Sequence, residues 1–323
     1  KFILSLRALN YISYIINASL YVLFMKKEKY DHIFCYLTSP PFQIIPALIF
    51  SKIRKIKLSI WYQDLWPDNL IDLKIKLPIF IYTLISKFMR FVFKNSYVIF
   101  CQSESFNKEV NKLVHKKKII TLHNPITIKP KKIDFSNQKQ NQKKIFTFTG
   151  NIGANIPFQD IIDSIKNLDS SKFELHFYGN GTHKLIFQKT IKKFKINNIY
   201  VHDYLDHNEL IKKMNMSNFF CIFLNEGEGL SKTIPAKFQN YLPFKKPILV
   251  YSKGALNNLV KESQIGVDCE IGDYNNLSKA FMKMINFTPN ELNQIKKNIE
   301  NISHNFNLKE ISSIYLKHIG YKY

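Results

Sequence analysis

The sequence predicts an α/β fold of two Rossmann-like domains with a cleft between them. Apolar runs of strand length alternate with helix-length segments along the chain, which is typical of doubly wound domains. Several runs are continuous, such as FFCIFL at 219–224, as in parallel strands that are buried on both faces. The predicted strands are 33–37, 58–62, 97–101, 119–122, 145–149, 173–178, 199–202, 219–224, 248–251 and 266–269.

The predicted helices lie between these strands, and one polar stretch divides the chain. Residues 129–144 are rich in Lys, Asn and Gln, so we expect an interdomain linker there. The N-terminal domain then covers 1–128 and the C-terminal domain covers 145–287, while a helical segment at 288–323 could cross back to the first domain. The helices are predicted at 43–53, 76–94, 104–114, 158–167, 183–194, 207–216, 235–242 and 254–262.

The composition describes a folded and strongly basic chain of 323 residues, with 46% hydrophobic residues and a net charge of +23. This length allows two domains, each with a core of its own. The positive charge invites nucleic acid or anionic lipid, but no nucleic-acid-binding motif accompanies it. We therefore expect an anionic membrane surface and phosphorylated substrates as partners, and no nucleic acid.

The cysteines and histidines give no sign of a metal site. The four cysteines form no C-x-x-C pair, and three lie inside apolar runs, as expected for reduced thiols of a cytoplasmic protein. The nine histidines show no spacing typical of zinc ligands, so we expect no metal and no bound cofactor. The cysteines are Cys35, Cys101, Cys221 and Cys269.

Two apolar segments could meet a membrane. Residues 8–25 carry no charge, but their asparagines and tyrosines favour a buried or interfacial helix over a membrane span. Residues 76–94 are apolar and aromatic, with cations at Lys87, Arg90 and Lys94. This second segment is either a core helix whose cations reach solvent or a helix that inserts shallowly at the membrane interface. We expect a cytoplasmic protein that is peripheral on the inner face of the cell membrane.

The stretch SKTIPAKFQNYLPFKKP at 231–247 is the most informative part of the chain. It predicts a loop, a short helix and a tight turn into the next strand. Lys237 and Asn240 share one helix face because they are three residues apart. With Lys232 and Thr233 before it, the helix start offers amides, cations and a hydroxyl that could hold a diphosphate. An ordinary capped helix is an equally good interpretation of these residues alone.

Loops that contain glycine follow two predicted strands of the C-terminal domain. Gly150, Asn151 and Gly153 follow one strand, and Gly179 follows the next. Glycine lets the backbone approach a phosphate closely. Each loop alone is better explained as a tight turn, but both occur in a chain with only 10 glycines. Their coincidence favours a binding site.

Acidic residues follow strands in both domains. Asp64, in the sequence DLWPD, lies where a carboxylate of the first domain would face a cleft, and Trp66 could form an apolar wall beside it. A solvated aspartate at a turn is the plainer alternative. Glu226 and Glu228, in the loop NEGEG, could face the hydroxyls of a donor sugar or lie in a mobile loop.

Taken in order, these motifs resemble those of the family 4 glycosyltransferases of the GT-B type, closest to enzymes that build O-antigen or capsule repeat units. The motifs are YDHIFCYLTSPPF, WYQDLWPD, LHNP, FTGNIG, FYGNG and TIPAKFQNYLPFKKPIL. The resemblance implies a retaining, metal-independent hexosyltransferase that moves a sugar from a nucleotide-diphosphate-sugar to a lipid-linked saccharide. It also implies that the N-terminal domain lacks the first strands of the family's domain.

The resemblance also assigns roles to residues. Asp64 would face the acceptor, while Lys232 and Lys237 would stabilise the departing diphosphate, and these three are the catalytic candidates. Leu205 would lie near the base, and Asn240 would contact the ribose. The other candidates for donor binding are Gly150, Asn151, Gly153, Gly179, Glu228 and Thr233.

The chain departs from the family at two of these positions. Asn240 and Lys232 stand where much of the family carries glutamates, and an asparagine bonds a ribose hydroxyl only as a neutral group. Three alternatives therefore stay open. The first is a GT-B epimerase, which acts on the nucleotide-sugar alone. The second is a degenerate GT-B protein that binds nucleotide-sugars without catalysis, and the third is a charge-driven nucleic-acid binder with salt-sensitive affinity.

Overall fold

The computed structural model describes residues 2–26, 28–72, 75, 77–115, 117–130 and 143–321. It divides into two compact units. The N-unit comprises the chain up to His123 together with the segment from Ile311 onward, and the C-unit comprises Asn124–Glu310. Most of the predicted linker, 129–144, lies outside the described residues.

The N-unit contains a four-stranded parallel sheet with strands in the order β1-β2-β3-β4. One face is covered by helices that bury Met89, Val92 and Phe93 against the strands. The other face receives Ile311 and Tyr315, which pack on Phe100. The strands are β1 His32–Leu37, β2 Lys57–Tyr62, β3 Val98–Cys101 and β4 Lys118–Thr121. The helices are α1 Phe2–Phe24, α2 Ile45–Arg54, α3 Asp68–Asp72, α4 Ile79–Asn95, α5 Glu104–Leu113 and, late in the chain, α14 Leu308–Ile319.

The C-unit contains a six-stranded parallel sheet in the order β10-β9-β8-β5-β6-β7. Strand β5 is central, and the order reverses around it, as it does where doubly wound sheets open a ligand crevice. The strands are β5 Lys144–Thr149, β6 Phe173–Tyr178, β7 Ile199–His202, β8 Phe219–Phe223, β9 Ile248–Ser252 and β10 Gly266–Glu270. The helices are α6 Phe158–Ile165, α7 Lys184–Lys193, α8 His207–Met216, α9 Glu228–Lys232, α10 Ala236–Tyr241, α11 Ala255–Ser263, α12 Tyr274–Ile285 and α13 Pro289–Ser303.

The predicted α/β fold is confirmed, and every predicted strand begins and ends within one residue of the observed one. The continuous apolar runs are buried as expected: all five residues of β8 and of β9 are inaccessible or nearly so. The local prediction for 231–247 is wrong at its start. Its first residues belong to the one-turn helix α9 rather than to a loop, and Pro235 has the extended conformation of an N-cap residue.

The described helices include none that combines the length and the apolar character needed to cross a bilayer. Helix α4 nevertheless exposes apolar side chains along its outer face. Ile79 is 84% exposed, Phe80 66% and Leu84 63%. The inner face of the same helix, with Met89 and Phe93, is fully buried. Helix α4 therefore has two apolar sides, of which only one is used in the core of the N-unit.

Candidate functional site

A pocket of about 300 Å³ opens in the C-unit at the carboxyl ends of β5, β6 and β7. Ligands of open parallel sheets bind at this edge, because the loops that follow the strands converge there. Apolar side chains and glycine backbone make up most of its wall. The lining residues are Gly150, Asn151, Tyr178, Gly179, Asn180, Tyr204, Leu205 and Leu210. Four of the predicted donor-binding residues therefore line one pocket, and the predicted catalytic residue Lys237 lies beside it. The four are Gly150, Asn151, Gly179 and Leu205.

The two glycine-containing loops pack directly on each other. Gly150 donates its N–H to the carbonyl of Tyr178 at 2.9 Å. Gly179 has φ +149°, and a Cβ on it would lie 2.0 Å from the carbonyl oxygen of Gly150. Only glycine fits there, because any side chain would push the loops apart. The side chain of Asn151 lies beside Gly153, where an added Cβ would be 2.9 Å from Asn151 Nδ2.

Helix α10 places Lys237 beside this glycine backbone. One turn further along, the Tyr241 hydroxyl is buried and accepts a hydrogen bond from the N–H of Thr149 at 2.9 Å. This bond ties α10 to the end of β5. As a result, a Cβ placed on Gly150 would lie 3.6 Å from Lys237 Nζ. Gly150 and Lys237 are far apart in the sequence, and the buried hydroxyl of Tyr241 helps to hold them next to each other.

The amino group of Lys237 has no acidic side chain beside it in the described part of the chain. Its ammonium lies 3.6 Å from the centroid of the Phe148 ring, and it forms no hydrogen bond or ion pair with a described residue. The ring face offers some attraction, but less than a carboxylate would. Burial lowers the pKa of Lys237 from 10.5 to about 7. A partly buried ammonium in this state attracts an anion.

The other predicted cation of the site is differently placed. Lys232 Nζ lies 3.1 Å from Glu228 Oε2, one turn earlier in α9. The Thr233 hydroxyl donates to the carbonyl of Gly229 at 2.8 Å. Lys232 is therefore neutralised within its own helix, and Glu228 is engaged by that lysine. Their predicted roles in phosphate and sugar binding stay predictions.

Asn240 is engaged within the C-unit. Its Oδ1 accepts hydrogen bonds from both the backbone N–H and the hydroxyl of Thr127, each at 3.0 Å. Its Nδ2 has no hydrogen-bond partner among the residues that the structure describes. Helix α10 has only six residues, so its dipole contributes little charge of its own in this region. The predicted ribose contact of Asn240 stays a prediction.

A buried lysine supports the far wall of the pocket, and the sequence analysis missed it. Lys184 is 8% exposed, and its Nζ lies 3.1 Å from Asn180 Oδ1 and 2.5 Å from Asp203 Oδ1. Asn180 lines the pocket, and Asp203 directly precedes the lining residues Tyr204 and Leu205. The one available signal was the four-residue spacing of Asn180 and Lys184 across a helix start.

A stack of histidine and tyrosine rings continues from this wall across β6 and β7. Tyr178, which lines the pocket, lies 4.5 Å from His202, centroid to centroid. His202 Nε2 is hydrogen-bonded to His176 Nδ1 at 2.9 Å, and His176 Nε2 lies 3.1 Å from a carboxylate oxygen of Glu174. The carboxylate only accepts, so His176 carries its proton on Nε2 and His202 must donate to Nδ1.

Asp64 lies in the N-unit, after β2. The Ser39 hydroxyl donates to Asp64 Oδ2 at 2.7 Å, and the indole N–H of Trp66 donates to Ser39 Oγ at 2.9 Å. An indole N–H is a donor only, so it leaves the single Ser39 proton for Asp64. The carboxylate is thus oriented, and its Oδ1 has no partner among the described residues.

Metal-ligating side chains do not cluster in the described part of the chain: no group of three or more His, Cys, Asp or Glu residues there could hold an ion. All four cysteines are free thiols.

The sequence of the C-unit matches a known family. The family model described as "Glycosyl transferases group 1" matches residues 129–302, which is more than half of the chain. The protein belongs to this family of glycosyltransferases. No curated protein sequence matches the chain.

Solved structures with the GT-B fold resemble the whole chain. The UDP complex of Alr3699/HepE from Anabaena has a TM-score of 0.72 and 12% identity, covering 96% of this chain and 81% of that one. A glycosyltransferase from Rickettsia africae has a TM-score of 0.71 and 12% identity, with coverages of 95% and 81%. Sucrose-phosphate synthase from Thermosynechococcus elongatus has a TM-score of 0.74 and 10% identity, with coverages of 95% and 78%. At these identities the likeness shows the fold alone.

Proposed function

We propose that the protein transfers a sugar from a nucleoside-diphosphate sugar to a saccharide carried on a lipid, in the synthesis of a cell-surface polysaccharide. One observation carries the proposal: the Lys237 ammonium lies beside Gly150 with no anionic partner among the described residues. A diphosphate would supply that partner. The apolar pocket beyond Gly150 suits the nucleobase. Alr3699/HepE has been solved with UDP, UDP and glucose, and UDP-glucose, which supports the same donor class here.

In the proposed reaction the bond between the anomeric carbon and the diphosphate oxygen breaks. The oxygen of the acceptor hydroxyl forms the new bond to the anomeric carbon, and the proton of this hydroxyl is transferred to the departing nucleoside diphosphate. Lys237 stabilises the charge that develops on the diphosphate, without a metal ion. Asp64 Oδ1 accepts a hydrogen bond from the acceptor hydroxyl and orients it. The family resemblance further leads us to propose a hexose as the sugar and retention of its anomeric configuration.

Work on a lipid-linked acceptor requires the protein to reach a membrane, and α4 supplies a suitable surface. The apolar side chains of Ile79, Phe80 and Leu84 are exposed on it, with the exposed cations Lys87 and Arg90 further along. Helix α4 contains no acidic residue. Apolar insertion combined with attraction to anionic headgroups is how interfacial helices bind. These features support our proposal that the protein acts at the cytoplasmic face of the membrane.

Binding without catalysis is the second candidate. It is favoured by Asn240, whose carbonyl oxygen is taken by Thr127, and by the ion pair between Lys232 and Glu228. Because of these contacts, fewer polar groups are free to bind the donor than in a site with glutamates at positions 232 and 240.

Thermal unfolding with UDP, GDP and TDP and their sugars tests the proposal, because a ligand of the folded state raises the melting temperature. We expect one nucleotide series to stabilise the native protein and to lose its effect in Lys237→Met. If no nucleotide changes the melting temperature, the proposal is wrong. Conversion of a nucleotide-sugar in the absence of any acceptor would point to an epimerase. Binding without transfer to extracted lipid-linked saccharides would point to the second candidate.

A further inference from the structure

We propose that Asn180 selects the nucleobase of the donor, and that it favours bases with a carbonyl oxygen where cytosine and adenine carry an amino group. The inference rests on the proposed function, because it concerns the base end of the same pocket. It goes further in naming which bases the pocket accepts and which residue discriminates among them.

The first step is the orientation of the Asn180 amide. Lys184 Nζ lies 3.1 Å from Asn180 Oδ1, and an ammonium can only donate. The carbonyl end of the amide must therefore face Lys184. Asp203 holds the same ammonium from the other side at 2.5 Å, which fixes the lysine. The free end of the amide is consequently Nδ2, a group with two hydrogens and no acceptor.

The second step is the availability of that donor. The side chain of Asn180 is exposed and lines the pocket, whereas Lys184 behind it is buried. Asn180 Nδ2 donates to no described residue. The backbone of Asn180 is fixed as well, since its carbonyl accepts the N–H of Ile152 at 2.9 Å. The donor is thus held in place and left unsatisfied by the protein.

The inference also depends on which part of the pocket Asn180 lines. The Gly150 end lies next to the Lys237 ammonium and suits the diphosphate. Leu205 and Leu210 follow β7, two strands away from β5, and they offer the pocket apolar surface that suits a flat ring. Asn180 is tied through Lys184 to Asp203, two residues before Leu205. Its amide therefore belongs to the rim of the base end.

The chemistry of the bases then decides the preference. Uracil, thymine and guanine present a carbonyl oxygen at position 4 or 6, and cytosine and adenine present an amino group there. An Asn180 N–H pairs with the carbonyl. It meets the amino group donor to donor, and both groups then lose their hydrogen bonds to water without replacement.

Calorimetric titration of the full chain with two matched pairs of nucleotides tests this inference. UDP and CDP differ at position 4, and IDP and ADP differ at position 6. In the pair that binds, we expect the carbonyl member to bind about tenfold more tightly, since one hydrogen bond is exchanged for a contact between two donors.

Variants separate the side chain from the rest of the pocket. Asn180→Asp replaces the free donor by an acceptor while it keeps a partner for Lys184, so the preference within the pair should reverse. Asn180→Ala should abolish the preference, and it serves if the aspartate variant does not fold. Asn197→Asp, the same change at an exposed asparagine outside the pocket, should leave the preference intact.

The outcomes are distinguishable. Equal affinities within both pairs, or a preference unchanged in Asn180→Asp and Asn180→Ala, would overturn the inference and leave the proposed function standing. Tighter binding of CDP or ADP by the native protein would overturn it too. If none of the four nucleotides binds, the inference fails, and the proposed function fails with it when GDP and TDP also leave the melting temperature unchanged.

Discussion

Lys237 and Phe148 form a cation–π contact of 3.6 Å at the end of the central strand of the C-unit. This contact explains how an ammonium can be held next to bare glycine backbone although no described acidic residue pairs with it. The ring attracts the cation without neutralising it, so the charge stays available to a ligand.

Replacement of Lys237 should separate binding from stability. Lys237→Met keeps a similar volume over Phe148 and removes the charge, so we expect diphosphate affinity to fall about tenfold to a hundredfold. The melting temperature of the free protein should be unchanged or higher, because a charge is no longer buried. Calorimetry and thermal unfolding check both parts, with Lys192→Met on the exposed side of α7 as the control. Unaltered affinity in Lys237→Met would remove this residue from the site.

The pH dependence of binding should report the same lysine. Its pKa is lowered from 10.5 to about 7, so the ammonium is lost as pH rises through 7, and diphosphate binding should weaken between about pH 7 and 9. An anion raises the pKa again, so binding near pH 7.5 should take up protons, which titrations in two buffers of different ionisation enthalpy measure. In the free protein the unfolded state holds the extra proton between pH 7 and 10.5, so this residue makes stability rise with pH there. A Lys237→Met variant with the same proton uptake would contradict this assignment.

Asp64 should affect turnover and not donor binding. Asp64→Asn keeps the shape of the side chain and an oxygen that can accept the hydrogen bond of Ser39. It removes the negative charge next to the hydroxyl of the acceptor sugar. We expect the transfer rate to fall at least tenfold, as for a lost catalytic group, with nucleotide affinity unchanged. Ser39→Ala should give a smaller loss because it frees the carboxylate without removing it. An equal loss of binding and turnover would mean that Asp64 is structural.

The His176–His202 pair should make the C-unit sensitive to acid. Burial and the neighbouring His176 lower the pKa of His202 from 6.5 to about 4, and burial lowers that of His176. The unfolded chain therefore takes up protons near pH 6.5 before the folded one does, and stability should fall as pH drops from above 6.5 toward 4. Denaturant unfolding at pH 7.5 and 5 measures this loss. It should be smaller in His202→Phe, which keeps the stack on Tyr178. An equal loss in that variant would exclude the pair as its source.

Vesicle binding should depend on the outer face of α4. Lys87, Arg90 and Lys94 are exposed there, and each cation near an anionic surface contributes about 1 kcal/mol. The triple change to Gln should therefore weaken binding to vesicles that contain phosphatidylserine by more than tenfold, and Leu84→Ser should weaken it further. The matched control is the triple change of Lys189, Lys192 and Lys193 to Gln on α7, which removes the same number of exposed charges elsewhere. Sedimentation with vesicles separates the two sets. Equal weakening by both would indicate a response to net charge alone.

The sequence predicts the strands well because burial on both faces leaves an uninterrupted apolar run, as in FFCIF of β8. It also predicts the loops that form the pocket, since glycines such as Gly179 are required where backbones touch. Contacts made by side chains over long sequence distances are not visible in it. The bond from Thr149 to Tyr241 spans 92 residues, and the bonds of Lys184 depend on where β7 ends. The one-turn helix α9 was missed because five residues carry too little pattern to indicate a helix.

The N-unit is built from two segments of the chain, one up to His123 and one from Ile311 onward. This division sets the order in which the two units can complete their structure during synthesis. Tyr315 of α14 packs on Phe34 and Phe100 at centroid distances of 5.0 and 5.2 Å, so this part of the sheet face stays uncovered until α14 has been synthesised. The C-unit contains no residue beyond Glu310 and can finish earlier. A purified chain that ends at Glu310 should therefore protect the C-unit from proteolysis while the N-unit is digested.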